Sequence, residues 1–214
     1  MTTVNTSRVS SSVALVACAA WFVLTLAACG SDTETSSAST STPSASDVFT
    51  PPPVPETATV ASGCPTAAAA NGGTPEWTLP GTTGSVAVTG STDTTAPHVK
   101  VDAPFSVTDT QVHTLKAGDG PVVANTATVS VCYMGVNGRD GTVFDSSYER
   151  GAPVEFALNG VVPGFQKAIT GQKVGSTVAV AVTSADGYPD GQPAAGIQQG
   201  DTLIFAIKIL SASS

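Results

Sequence analysis

From Glu76 onward, apolar residues recur at every second position in short runs that are parted by Gly, Asp, Asn and Pro. Side chains of an extended backbone point alternately to opposite faces, so this period of two predicts strands. The runs are HVKVDA (98–103), QVHTLKA (111–117), ATVSVCYM (127–134), GTVFDS (141–146), PVEFAL (153–158), STVAVAVT (176–183) and TLIFAIKIL (202–210). Alternation also sets faces: Val129, Val131 and Tyr133 lie opposite Ser130 and Cys132; Val154, Phe156 and Leu158 oppose Glu155; Leu203, Phe205, Ile207 and Ile209 oppose Thr202 and Lys208. One face of the sheet reads as apolar and the other as mixed. The stretch VVPGFQKAITGQKVG (161–175) breaks the period. Pro163 can open a helix there, Phe165, Ala168 and Ile169 fall at i, i+3 and i+4, and Gly171 can close it after about two turns. Asp140-Gly141 reads as a turn between strands. The pattern predicts an α+β domain, an antiparallel sheet with one short helix against its apolar face.

Upstream the alternation fades. Residues 29–75 are rich in Ser, Thr, Ala and Pro with few bulky apolar side chains, too little to offset the entropy of ordering, and read as a disordered tether. As a flexible coil of roughly 40 residues it would span on the order of 35 Å. Residues 1–28 read as an export signal, with Arg8 ahead of the apolar run VALVACAAWFVLTLAAC. The run closes on LAACGS, which resembles the lipobox of bacterial lipoproteins. Leu26, Ala27 and Ala28 would then precede Cys29, the new N-terminus and site of lipidation, placing the protein on the outer face of the cytoplasmic membrane. An ordinary cleaved signal that happens to end near a cysteine is the alternative.

The 214 residues, 11% of them charged, suffice for one domain plus extensions. Net charge is −8 with neutral His, and loss of residues 1–28 removes one Arg and no acid, leaving −9. Such a surface lacks the basic stripe that nucleic acid requires. Export would place the chain where disulfides persist. Cys18 leaves with the signal and Cys29 is claimed by lipid, so Cys64 and Cys132 remain of the four cysteines. Cys132 falls on the face opposite Tyr133, where an exported protein seldom leaves a free thiol. A Cys64 to Cys132 bridge would pin the end of the tether to the outside of the sheet; two thiols are the alternative. Among catalytic classes, a serine hydrolase lacks both a nucleophile elbow and a well-placed base, the only histidines being His98 and His113. Metal-ligand spacing is absent as well.

An ordered series of aromatics carries more information. The stretch from VSVCYMGVNGRDGTVFDSSYERGAPVEFALNGVVPGFQKAITGQKVGS to SADGYPDGQPAAGIQQGDTLIFAIKIL closely resembles the FKBP-type peptidyl-prolyl cis/trans isomerases, over about 90 residues from Gly118 to Leu210. The resemblance implies a half-barrel sheet wrapped on one helix in residues 118–214, with 76–117 as an N-terminal β extension. It also implies a proline-binding cup. Tyr133, Phe144, Asp145, Phe165, Tyr188 and Phe205 take the family's catalytic positions, and Arg150, Val154, Phe156, Val161, Val162 and Ile197 its substrate-binding positions. Arg150 would pair with Asp145, which would also accept from the Tyr133 hydroxyl, while the Tyr188 hydroxyl and the Ile197 N–H would hold substrate carbonyls. Ser146 and Ser147 are left as loop residues with no nucleophilic duty. Departures from the family, namely Phe165 for an indole, Val154 for an aromatic and Gly196 for an apolar residue, predict a shallower cup.

The implied activity is peptidyl-prolyl isomerisation of exported proteins by a monomer, with no cofactor or metal. Proline-containing exported polypeptides would be its partners and macrolides its possible inhibitors. A holdase that grips proline segments with little turnover is the alternative. The 17 residues from Tyr188 to Phe205 leave no room for the inserted domain of the family's chaperones, which favours the enzyme.

Overall fold

The computed structural model describes residues 63–69 and 73–213, all within a unit that runs from Val54 to Ser214. Cys29 and the export segment lie outside the described residues. Strands β1 (Trp77–Pro80), β2 (Thr83–Thr89) and β3 (His98–Ser106) form a three-stranded antiparallel sheet. A second sheet of six strands contains β4 (Gln111–Lys116), β5 (Thr128–Asn137), β6 (Val143–Ser146), β7 (Val154–Ala157), β8 (Thr177–Val182) and β9 (Leu203–Ser213). Its order is β4-β8-β9-β5-β6, with β7 pairing the start of β5. Each of the seven alternating runs is thus a strand. The two unread strands, β1 and β2, carry runs of only two or three apolar positions among Thr, Ser and Gly. QVHTLK, assigned from the sequence to the N-terminal extension, pairs with β8 in the larger sheet, so that sheet begins before residue 118.

Helix α1 (Ser147–Arg150) is a single turn after β6, capped by the Ser146 hydroxyl, which accepts from the Glu149 N–H at 3.4 Å. Gly151 closes it at φ 68°, a left-handed conformation that a side chain would strain. The serines read as loop therefore start a helix, because a Ser ahead of Glu149 can satisfy a free N–H at its first turn. Helix α2 (Pro163–Ile169) occupies the predicted place, with Pro163 at its first position. Gly164 lets it approach the sheet, since a Cβ there would run into Val182.

Along β8 and the first half of β9 both faces of the larger sheet are buried. On the inner face Val129, Val131, Tyr133, Val178, Val180, Leu203, Phe205, Ile207 and Ile209 join Phe165, Ala168 and Ile169 of α2. On the outer face Val136, Ala179, Ala181, Ile204 and Ala206 meet Val86, Val88 and Phe105 of the smaller sheet. The outer face is mixed, as the alternation predicts, with Cys132, Thr177 and Lys208 beside its alanines, but much of it is covered. Every residue of β8 is buried, and its outward residues, Thr177, Ala179 and Ala181, are small enough for a second sheet to lie flat against them. Trp77 of β1 stacks on His113 of β4 with centroids 5.6 Å apart, joining the sheets at one edge. Cys64 is bonded to Cys132 with a Cα separation of 5.6 Å, so the end of the expected tether is seated on the outer face of β5.

Candidate active site

Helix α2 is too short to cover the inner face, and the uncovered part is a cavity of about 380 Å³. Tyr133, Phe144, Asp145, Phe156, Gly160, Val161, Val162, Phe165, Tyr188 and Phe205 line it. Five rings form its wall in a connected edge-to-face mesh. Phe165 is central, with centroids 5.8 Å from Tyr133, 5.6 Å from Phe156 and 5.3 Å from Phe205, while Phe144 meets Phe205 at 5.7 Å. Edge-to-face contact sets the positive rim of one ring against the negative face of the next, so the mesh holds its shape without a ligand. Each ring comes from a different element: β5, β6, β7, α2 and β9.

One rim of the cup is charged. The Tyr133 hydroxyl donates to Asp145 Oδ2, Arg150 bonds Asp145 Oδ1 at 2.6 Å, and a second Arg150 nitrogen reaches the Tyr133 hydroxyl at 3.3 Å. Burial alone would raise the Asp145 carboxyl, but the tyrosine hydroxyl and the guanidinium outweigh it and hold the group below the usual carboxylate range. Burial and the Asp145 carboxylate push the Tyr133 phenol up to about 12. At neutral pH the rim is thus a fixed carboxylate, a neutral phenol and a guanidinium. None is poised to exchange a proton.

The loop between β8 and β9 supplies Tyr188. Lys167 of α2 bonds Asp186 at 2.7 Å and Thr110 bonds the same carboxylate at 2.6 Å, fixing the start of the loop. Buried Asp201 fixes its end, accepting from Asn137 at 2.7 Å and pairing with Arg139, which also donates to the Gly196 carbonyl at 3.1 Å. Among the described residues the Tyr188 hydroxyl has no hydrogen-bond partner, although its ring lines the cup. The Val162 N–H, also on the lining, likewise lacks an acceptor among the described residues.

Nine of the twelve residues assigned from the sequence line this cavity. Val154 does not: it packs into the core beside Phe156, its branched side chain ending short of the cup that the longer ring reaches. Ile197 is buried in the same core, and its N–H donates to the Gln192 carbonyl at 3.1 Å across a tight loop pair, so it is not free for a substrate carbonyl. Arg150 stands behind Asp145 rather than on the lining. Gly160 was missed; its signal was the turn dipeptide Asn159-Gly160 ahead of Val161, and a Cβ there would meet nothing within 4 Å.

Residues 120–210, which include every lining residue, match the profile of a family described as FKBP-type peptidyl-prolyl cis-trans isomerase. The FK506-binding protein of Streptomyces anulatus is 35% identical over 106 residues, covering 48% of this chain and 86% of that protein. The chain belongs to the FKBP family. A 22 kDa FKBP-type peptidyl-prolyl cis-trans isomerase of Escherichia coli is 39% identical over 100 residues, and the match spans 47% of this chain and 48% of that relative. FkpA from Escherichia coli, a solved structure, aligns at 34% identity with a TM-score of 0.44 over 49% of this chain and 47% of its own. The stretch that matches the FKBP profile begins after β4, so the three-stranded sheet that covers its outer face lies ahead of it.

Proposed function

We propose that the chain is a peptidyl-prolyl cis/trans isomerase acting on exported polypeptides, tethered through a lipid on Cys29 to the outer face of a bacterial cytoplasmic membrane. The aromatic cup, with a hydroxyl and an N–H at its edge that have no partner among the described residues, carries this reading. Rotation about an X-Pro bond faces a barrier of about 20 kcal/mol because the amide loses its resonance on the way. No bond is broken, so no nucleophile or cofactor is needed. An apolar cup that takes the proline ring and strips water from the imide favours the twisted amide, which is less dipolar than either planar isomer. Catalysis is then tighter binding of the twist than of the ground states.

In this scheme Phe144, Phe156, Phe165, Val161 and Phe205 receive the ring. The Tyr188 hydroxyl donates to one substrate carbonyl and the Val162 N–H to another, the role that the sequence had given to Ile197. Asp145, held ionised by Tyr133 and Arg150, orients the rim and transfers no proton. A macrolide of the kind named in the Streptomyces relative would enter the same cup, and one chain supplies the whole site, so a monomer suffices.

A protease-coupled assay with a proline tetrapeptide tests the reading. Acceleration by the oxidised protein that falls sharply in Phe144→Ala and Tyr188→Ala is expected. Equal rates for wild type and both variants would leave only a proline-binding holdase. Incorporation of labelled fatty acid that is lost in Cys29→Ser tests the anchor, and persistence of the label in that variant would refute it.

A further inference from the structure

The Tyr133 N–H has an unusual partner. Along the edge of β5 away from β9, residues 128–131 pair with β7 and residues 134–136 with β6, which leaves Cys132 and Tyr133 in a gap between the two strands. Helix α1 fills that gap. Ser147 Oγ, fully buried, accepts the Tyr133 N–H at 2.8 Å and stands in for the missing strand. The same helix carries Arg150, whose guanidinium holds Asp145 and the Tyr133 hydroxyl at the cup.

A helix of one turn has almost no stability of its own, since nucleation fixes several residues for a single hydrogen bond. Its position must come from what packs on it. Residues 63–67 do this from outside: the Cys64 N–H donates to the Gly151 carbonyl at 3.3 Å, Cys64 Sγ lies 3.5 Å from Ser147 Oγ, and the Cys64 to Cys132 bond fastens the segment to β5. A Cβ on Gly151 would come within 3.2 Å of the Thr66 methyl, so the segment lies directly over the helix cap. Tyr148 completes the support, buried among Cys64, Ala96 and Cys132 with its hydroxyl donating to Ser91 at 2.8 Å, and the Ala96 N–H in turn bonds the Ala67 carbonyl at 2.8 Å.

We propose that residues 63–67, fastened by the Cys64 to Cys132 disulfide, are a positioning strap that holds α1 in the gap of β5 and thereby sets Arg150 on Asp145 and Tyr133. The inference rests on the isomerase reading for its effect on rate but not for its structural consequence. The strap lies on the outer side of the sheet and touches no substrate, so it reaches the cup only through α1, by Arg150 and by the Ser147 bond to the Tyr133 N–H.

Two measurements on the full chain test it, with the disulfide opened either by a phosphine reductant or in the Cys64→Ala/Cys132→Ala variant. In amide hydrogen exchange, opening should speed the Tyr133 N–H by at least about tenfold while Val180 and Phe205 in the centre of the sheet keep their protection. Uniform acceleration of all three, or none, would overturn the strap. In the proline assay, kcat/KM should fall about three- to tenfold on opening, and the fall should be clearly smaller in an Arg150→Ala background. An equal fall in both backgrounds would also overturn it. If both opened forms lose their near-ultraviolet circular dichroism, Thr66→Gly, which leaves the core and the bridge intact, should show the same selective exchange at Tyr133. Unchanged exchange there would overturn the proposal. A wild type with no activity but selective exchange would refute the isomerase reading and leave the strap standing.

Discussion

The two faces of the larger sheet are built from the same strands and end differently. Outward, Ala179, Ala181 and Ala206 meet Val86 and Val88 of the smaller sheet, and the contact is filled. Inward, Val178, Val180 and Phe205 meet a helix of seven residues, and the part that the helix leaves uncovered becomes the cup. Small side chains allowed one layer to close over the middle of the sheet, whereas large rings around a short helix braced one another about a space. The proposed site lies where packing stops short and the rings that frame the gap still hold one another.

The largest effect should come from the centre of the ring mesh. Phe165 is 5% exposed and touches three other rings, so Phe165→Ala should cost about 3–5 kcal/mol in denaturant unfolding and remove most of the proposed isomerase activity. Full activity in a folded variant would break the contrast between the faces. Opening the Cys64 to Cys132 bridge releases a loop of 68 residues and should lower stability by about 2–4 kcal/mol, read as a lower midpoint in guanidinium under reducing conditions. On the filled face, Ala206→Leu should cost about 1–3 kcal/mol by overpacking while kcat/KM stays unchanged. A change in rate there would mean that the two faces are not independent. Tyr188→Phe should do the reverse, leaving the unfolding midpoint in place while kcat/KM drops about fivefold for the loss of one hydrogen bond.

The smallest effect is the pH dependence of the rim. The Asp145 carboxyl is depressed in the folded state, so its stabilising contribution is present above the unfolded value of 3.8 and is lost as pH falls through the folded one. The Tyr133 phenol is raised to about 12 from 10.0, so its contribution is present below 10.0 and is lost as pH rises toward 12. The unfolding midpoint should therefore be flat between about pH 5 and 9 from these two groups and decline on either side. Asp145→Asn should remove the rim's share of the acid decline, and an unaltered acid limb would show that the carboxylate is not clamped.

The sequence by itself determined the strands from β3 to β9 and the place of α2, while the Asp145 to Arg150 pair and nine of the lining residues came through its resemblance to the FKBP-type isomerases. The strands and the helix are carried by local signals, a period of two and a proline at a helix start. It did not decide the weaker strands β1 and β2, whose few apolar residues gain burial only in the tertiary cluster with Phe105, Val136, Ile204 and the alanines of β8 and β9. Nor did it decide that Val154 and Ile197 stop short of the cup, because side-chain reach depends on which neighbours fill the space first. The bracing of α1 was equally hidden. Ser147, Gly151 and Cys64 are far apart or featureless along the chain, and only tertiary folding brings the strap over a helix too short to hold itself in place. Periodicity and spacing are written into neighbouring residues, while the closure of one face and the opening of the other are fixed by what distant segments leave room for.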